Sequence, residues 1–132
     1  MLMLPLRLHP GDDLREALLA ALTAHGHDAA FVLSGIGSLA PAQLRLAGAA
    51  EAMAITGDTE ILTLSGTLGS GGAHLHASLS DASGRVIGGH VLSGAGQAAF
   101  LGVLTGLGTT SANDRGIWSE GRRSGLALVG RS

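Results

Sequence analysis

Three of the six histidines of this chain lie within seventeen residues of one another, and two of them alternate along one predicted strand. Residues 73–80 read Ala-His-Leu-His-Ala-Ser-Leu-Ser, and this period of two predicts a half-buried strand. His74 and His76 then share the polar face, while alanines and leucines form the apolar face. Neutral imidazole is the commonest protein ligand for zinc, and it also suits copper, iron and nickel.

The turn after this strand predicts how a third histidine joins the pair. The sequence Asp-Ala-Ser-Gly at 81–84 fits a hairpin with a three-residue loop, in which the glycine takes the left-handed conformation. Counting outward from Asp81 opposite Arg85, His76 faces His90 on the neighbouring strand, and the three imidazoles converge. Glycine pairs such as 88–89 are typical of a β-bulge, which would change this count, or of a close approach by another backbone.

Three imidazoles with one open position are typical of a catalytic or exchangeable zinc site, because structural zinc sites are usually closed by four ligands. Zinc-bound water can lose a proton near pH 7 and attack an electrophile. Glu60, at the start of another predicted strand, is the candidate catalytic base. The alternatives are that His74, His76 and His90 are surface or interface residues bonded to backbone and water, and that Glu60 is a solvated carboxylate.

The composition predicts one cytoplasmic domain over residues 1–132, long enough to bury a core. Apolar residues make up 45% of the chain and aromatic residues only 2%, which argues against stacking platforms for single-stranded nucleic acid. The absence of cysteine excludes disulfides and thiolate metal sites. No apolar run reaches the roughly 18 residues of a membrane helix, and none resembles a signal peptide.

The charge of the chain does not favour direct binding to DNA. Eight arginines, with no lysine, face ten acidic residues, so the formal net charge is −2. Nucleic-acid-binding domains usually carry a basic patch or stripe that neutralises phosphates, and this balance offers none. We expect protein or small-molecule partners on this ground.

Hydrophobic periodicity predicts one main helix and seven or eight short strands, and therefore an α+β domain built on an antiparallel sheet. The first strand covers 3–8, and the helix begins after Asp12 or Asp13 as its N-cap and runs to about Ala24. Gly26 is the expected C-terminal stop signal. The other predicted strands are 30–33, 42–46, 53–56, 60–68, the two arms of the histidine hairpin, 97–104 and 126–129, with glycine-rich loops at 34–38 and 69–72.

Five segments resemble, in the same order, the motifs of the plants-and-prokaryotes-conserved (PPC) domain family, which also occurs in plant AT-hook nuclear-localised proteins. The combination of Glu-Ile-Leu, His-x-His and Gly-Gly-His is specific, and the resemblance covers nearly the whole chain. The five segments are Pro10-Gly11-Asp12-Asp13, Ser34-Gly35-Ile36-Gly37-Ser38, the run Glu60–Thr67, His74-Leu75-His76 and the run Gly84–Val91.

The resemblance implies the PPC fold with an antiparallel sheet of about seven strands, assembly as a homotrimer, and an interaction module associated with DNA or transcription. In plant relatives the domain recruits transcription factors through a Gly-Arg-Phe-Glu-Ile-Leu segment, and an Arg-Gly-Arg-Pro hook contacts DNA. The matching segment here is 57–62, in which Asp58 and Thr59 replace Arg and Phe, and the sequence contains no such hook.

The resemblance also bears on the histidines. Some prokaryotic relatives are similar to metal-binding proteins through their family histidines, which correspond here to His74, His76 and His90, and zinc is the expected metal. Two functions stay open from the sequence. The first is a stand-alone homotrimeric module with a metal-capable histidine site, and the second is a zinc-dependent hydrolase or lyase that acts on a small molecule.

Overall fold

The computed structural model describes residues 2–93 and 97–106, which form one helix and eight strands. The predicted α+β class, with one main helix and an antiparallel sheet, is confirmed. The predicted strand at 126–129 lies outside the described residues. The elements are β1 Leu2–Leu8, α1 Leu14–Ala24, β2 Ala29–Ala40, β3 Ala42–Arg45, β4 Met53–Ile55, β5 Thr59–Gly69, β6 Gly72–Asp81, β7 Val86–Val91 and β8 Gln97–Gly106.

The eight strands form a single sheet in the order β1-β8-β2-β5-β6-β7-β3-β4, and its strand pairs are antiparallel. The β6–β7 hairpin, which carries the three histidines, is held between β5 on one side and β3 on the other. The neighbouring strands on both sides fix the register of the hairpin, because a slip by one residue would exchange its apolar and polar faces.

Helix α1 covers one face of the sheet. Asp13 is its N-cap, and the carboxylate accepts a hydrogen bond from the Glu16 backbone N–H at 3.0 Å. Leu14, Leu18 and Leu22 recur on one side of the helix and are buried, in a cluster with the apolar side of the strands. The largest fully buried side chains of the described core are Leu14, Leu18, Leu39, Leu44, Leu68, Leu75, Leu79 and Val91.

One sequence expectation was wrong: the glycine-rich segment 34–38 is not a loop. Strand β2 runs through it: the whole segment pairs with β8, and Gly37 and Ser38 also pair with β5. The register with β8 shifts between Val32 and Ser34, and Gly37 has a φ of 145°. Glycine allows this backbone within a strand, so the segment marks an irregularity in a central strand and not a chain reversal.

Among the described residues, no helix is long and apolar enough to cross a membrane. The cytoplasmic location and the single domain over residues 1–132 stay predictions.

Candidate metal centre

The hairpin between β6 and β7 has the predicted register, with His76 directly opposite His90. The Asp81 carboxylate closes its turn by accepting hydrogen bonds from the backbone N–H groups of Ser83 at 2.9 Å and Arg85 at 3.0 Å. It also forms an ion pair with Arg85 at 3.3 Å. The hydrogen bond from the Ser83 hydroxyl, aided by these backbone N–H groups and the Arg85 charge, lowers the pKa of Asp81 below its usual value.

The Gly88-Gly89 pair is regular strand and not a bulge, since Gly88 pairs with Ser78 and Gly89 pairs with Ala77. Its glycines are explained by crowding from the neighbouring strands. A Cβ atom on Gly89 would lie 2.8 Å from the Arg45 carbonyl oxygen, and one on Gly88 would lie 3.1 Å from the Ala77 carbonyl oxygen. The close approach of another backbone is therefore the correct interpretation of this pair.

The three predicted ligands His74, His76 and His90 meet on the side of β6 and β7 opposite the buried leucines. One ring nitrogen of each lies within 4.8 Å of the others, and the Nε2 atoms of His74 and His76 are 3.1 Å apart. At a tetrahedral zinc with Zn–N bonds of 2.0–2.1 Å, two imidazole nitrogens would be about 3.3 Å apart. The three side chains could hold a metal ion, and small rotations of the rings would close the remaining gap.

Strand β5 fixes the position of β6 at the histidines. Ser65 and Thr67 lie opposite His76 and His74, and Gly66 lies between them with a φ of 144°. A Cβ atom on Gly66 would collide with the His74 carbonyl oxygen and lie 2.8 Å from the Leu75 Cα. Only glycine fits this backbone and this spacing, so Gly66 positions the strand that carries two of the three imidazoles.

His90 differs from the other two histidines in its surroundings, because it is half-buried while they are exposed. Burial lowers its pKa below 6.5, and nearby positive charge, first of His74 and then of Arg45, His76 and Arg15, lowers it further. A lowered pKa favours neutral imidazole near pH 7, which is the form that binds metal.

An open groove of about 340 Å³ adjoins the three imidazoles. Its other walls are Arg45, the 46–48 loop and the backbone of the Gly88-Gly89 pair, and no Asp or Glu is among its described lining residues. Arg45 lies directly opposite His90 where β3 pairs with β7. Sequence reasoning missed Arg45 and Gly66, because each acts on a histidine through a neighbouring strand and neither is part of a motif for a site.

The structure does not bring Glu60 to the histidines. Glu60 lies opposite Ser80, and four residues of β6, about 13 Å, separate Ser80 from His76. Glu60 is not among the residues that line the groove. The catalytic role of Glu60 stays a prediction. Its distance from the histidines within one chain gives that role no support.

Comparison with known proteins agrees with the motifs. The family model of the Plants and Prokaryotes Conserved (PCC) domain matches residues 3–108. A curated relative, the bifunctional protein GlmU of Synechococcus sp. (strain JA-3-3Ab), is 47% identical over 90 residues, which are 68% of this chain. The match spans only 14% of the length of that relative.

Two solved structures are similar over most of their length. A hypothetical protein from Salmonella enterica is 32% identical with a TM-score of 0.76, over 83% of this chain and 80% of that one. A metal-containing protein from Archaeoglobus fulgidus is 26% identical with a TM-score of 0.67, over 91% of this chain and 94% of that one.

Proposed function

Because this chain belongs to the Plants and Prokaryotes Conserved domain family (PCC, also written PPC), we propose that it is a homotrimeric assembly module that holds a zinc ion on His74, His76 and His90. The observation that carries the metal site is the convergence of three ring nitrogens within 4.8 Å on two paired strands. The description of the Archaeoglobus relative as metal-containing supports the same view.

The donor set favours zinc. Three imidazoles with no described carboxylate in the groove and no cysteine in the chain form a nitrogen site, which suits zinc, copper, iron and nickel. Zinc accepts a tetrahedral site with three protein ligands and one open position, which is the arrangement that these side chains offer. In this proposal His90 is the most buried ligand, and the exposed His74 and His76 complete the set of three metal ligands.

The proposed trimer would cover apolar side chains that one chain leaves exposed. Leu33, Ile36 and Leu62 lie on the neighbouring strands β2 and β5, and each is at least half exposed. Ile36 and Leu62 adjoin the paired residues Gly37 and Ile61, so they are close across the two strands. An exposed apolar cluster of this kind is typical of an interaction surface.

For the partner, we propose a protein or a small molecule and not DNA directly. The family resemblance implies a role associated with DNA or transcription. The chain, however, carries eight arginines and no lysine against ten Asp and Glu side chains, a formal net charge of −2. Such a balance does not favour binding to a polyanion, and DNA binding with a steep salt dependence would contradict this part of the proposal.

Zinc titration of a single-ligand variant tests the metal site. We expect His76→Ala to weaken zinc binding by about tenfold or more, because one of the three metal ligands is lost. His9→Ala is the matched control, since His9 is exposed and stands outside the cluster. Competition with a chromophoric chelator measures both affinities, and an unchanged affinity in His76→Ala would overturn the three-histidine site.

A zinc-dependent hydrolase or lyase is the second candidate function, and the open groove beside the histidines favours it. Zinc at such a site would lower the pKa of a bound water to about 7 and provide a nucleophile. The described groove contributes no carboxylate base. Turnover of a small ester or phosphoester by the zinc-loaded protein, lost in a His74→Ala/His76→Ala variant, would favour the enzyme over the assembly module.

A further inference from the structure

We propose that the groove beside the three histidines binds a small molecule through an oxyanion, a carboxylate or a phosphate group, which Arg45 holds against the metal. This inference rests on the proposed metal site and goes beyond it, because it names the ligand class of the open position.

Arg45 is placed to contact a ligand of the metal. It is the last residue of β3 and lies directly opposite His90, so its Cβ atom is about 4.5–5.5 Å from that of a proposed metal ligand. No carboxylate of the described residues lies within ion-pair distance of Arg45. Its guanidinium therefore keeps the planar donor fork that fits a carboxylate or phosphate.

The shape of the groove leaves room between Arg45 and the imidazoles. Gly88 and Gly89 line that part of the groove and contribute no side chain to it. Its volume of about 340 Å³ is at the small end of known ligand sites, which indicates a small molecule and not a polymer.

The charge of the groove has the opposite sign to that of the domain. A divalent metal on neutral imidazoles, together with Arg45, would make the groove strongly positive, whereas the chain as a whole has a formal net charge of −2. A positive cleft in a negative surface attracts small anions and repels polyanions. The open position of a three-histidine zinc then binds one oxygen of the anion.

Anion titration of the zinc-loaded protein tests the proposal, with acetate and inorganic phosphate as probes in separate calorimetric experiments. The visible spectrum of the cobalt-loaded protein gives a second readout that does not depend on catalysis. The variants are Arg45→Ala, Arg45→Lys and the control Arg7→Ala. Arg7 lies on β1, at the opposite end of the sheet from β3, and its replacement removes the same charge.

We expect zinc-loaded wild-type protein to bind one or both probes, and Arg45→Ala to bind them about tenfold more weakly or worse, since a charge-assisted hydrogen-bond pair is lost. Arg45→Lys should be intermediate, and Arg7→Ala should bind zinc and the two probes as the wild type does. The tighter probe identifies the oxyanion as carboxylate or phosphate. Zinc uptake without anion binding, or equal anion binding by Arg45→Ala, would overturn this inference alone. Failure to take up zinc would overturn the metal site as well.

Discussion

At the scale of single residues, the three histidines are not equivalent. His74 and His76 are exposed and project from one strand, whereas His90 is half-buried and comes from the next. The pKa of His90 is lowered mainly by its burial, which favours the neutral imidazole that binds metal. We infer that His90 is the ligand that is ready for metal at neutral pH and that the exposed pair completes the site.

The lowered pKa of His90 predicts how the stability of the metal-free protein depends on pH. The pKa of His90 in the folded protein lies below the value of 6.5 that applies to the unfolded chain. As the pH falls through the range between these two values, the unfolded state therefore binds more protons than the folded state. The free energy of unfolding should therefore decrease from about pH 7.5 to about pH 5.5, and His90→Gln should flatten this dependence.

Urea unfolding of chelator-treated protein over this pH range measures the effect. His9→Gln is the control, because it removes an exposed histidine outside the cluster. It should leave unchanged the pH dependence of the free energy of unfolding that is due to His90. An identical pH dependence in wild type and His90→Gln would show that the burial of this imidazole has no energetic consequence.

At the scale of secondary-structure elements, contact between β5 and β6 fixes the metal site. Gly66 has a positive φ and approaches the backbone at His74 and Leu75 so closely that no Cβ atom fits. The site thus depends on a residue with no side chain, in a strand that carries no ligand.

Gly66→Ala should weaken zinc binding and lower the free energy of unfolding of the metal-free protein by about 1–3 kcal/mol, because β6 must move to admit the methyl group. Gly71→Ala is the matched control, since Gly71 lies in the β5–β6 turn with open space around its Cβ position. Equal zinc affinity and stability in the two variants would contradict the packing argument.

The histidine hairpin could be predicted from the sequence because its information is local. The period-two pattern of 73–80 and the turn at 81–84 together define the register of His76 and His90, and the structure confirms it. The segment 34–38 was interpreted wrongly as a loop, because its glycines belong to a strand whose partners β5 and β8 are distant in sequence. Arg45 was missed for the same reason, since its position opposite His90 exists only in the folded sheet.

At the scale of the whole molecule, the sheet has two different faces. Helix α1 covers the face that carries the leucine core, while the other face presents the histidines and the exposed apolar residues of β2 and β5. A single chain leaves Leu33, Ile36 and Leu62 in contact with water, which self-association would relieve.

The proposed trimer predicts a mass three times that of the chain at micromolar concentration, measured by light scattering after size-exclusion chromatography. Leu62→Glu should shift the protein towards monomer, since a charge would be buried at the interface. Ala54→Glu adds the same charge at an exposed position of the edge strand β4 and should leave the mass unchanged. A monomeric wild-type protein would contradict the trimer, and an unaffected Leu62→Glu would place the interface elsewhere.

The metal content of the purified protein tests the central claim most directly. Elemental mass spectrometry on tag-free wild type beside a His74→Ala/His76→Ala variant should find about one zinc ion per wild-type chain and almost none in the variant, because the variant retains a single ligand. Equal zinc in both proteins, or no metal in the wild type even after incubation with zinc, would contradict the claim that His74, His76 and His90 form a zinc site.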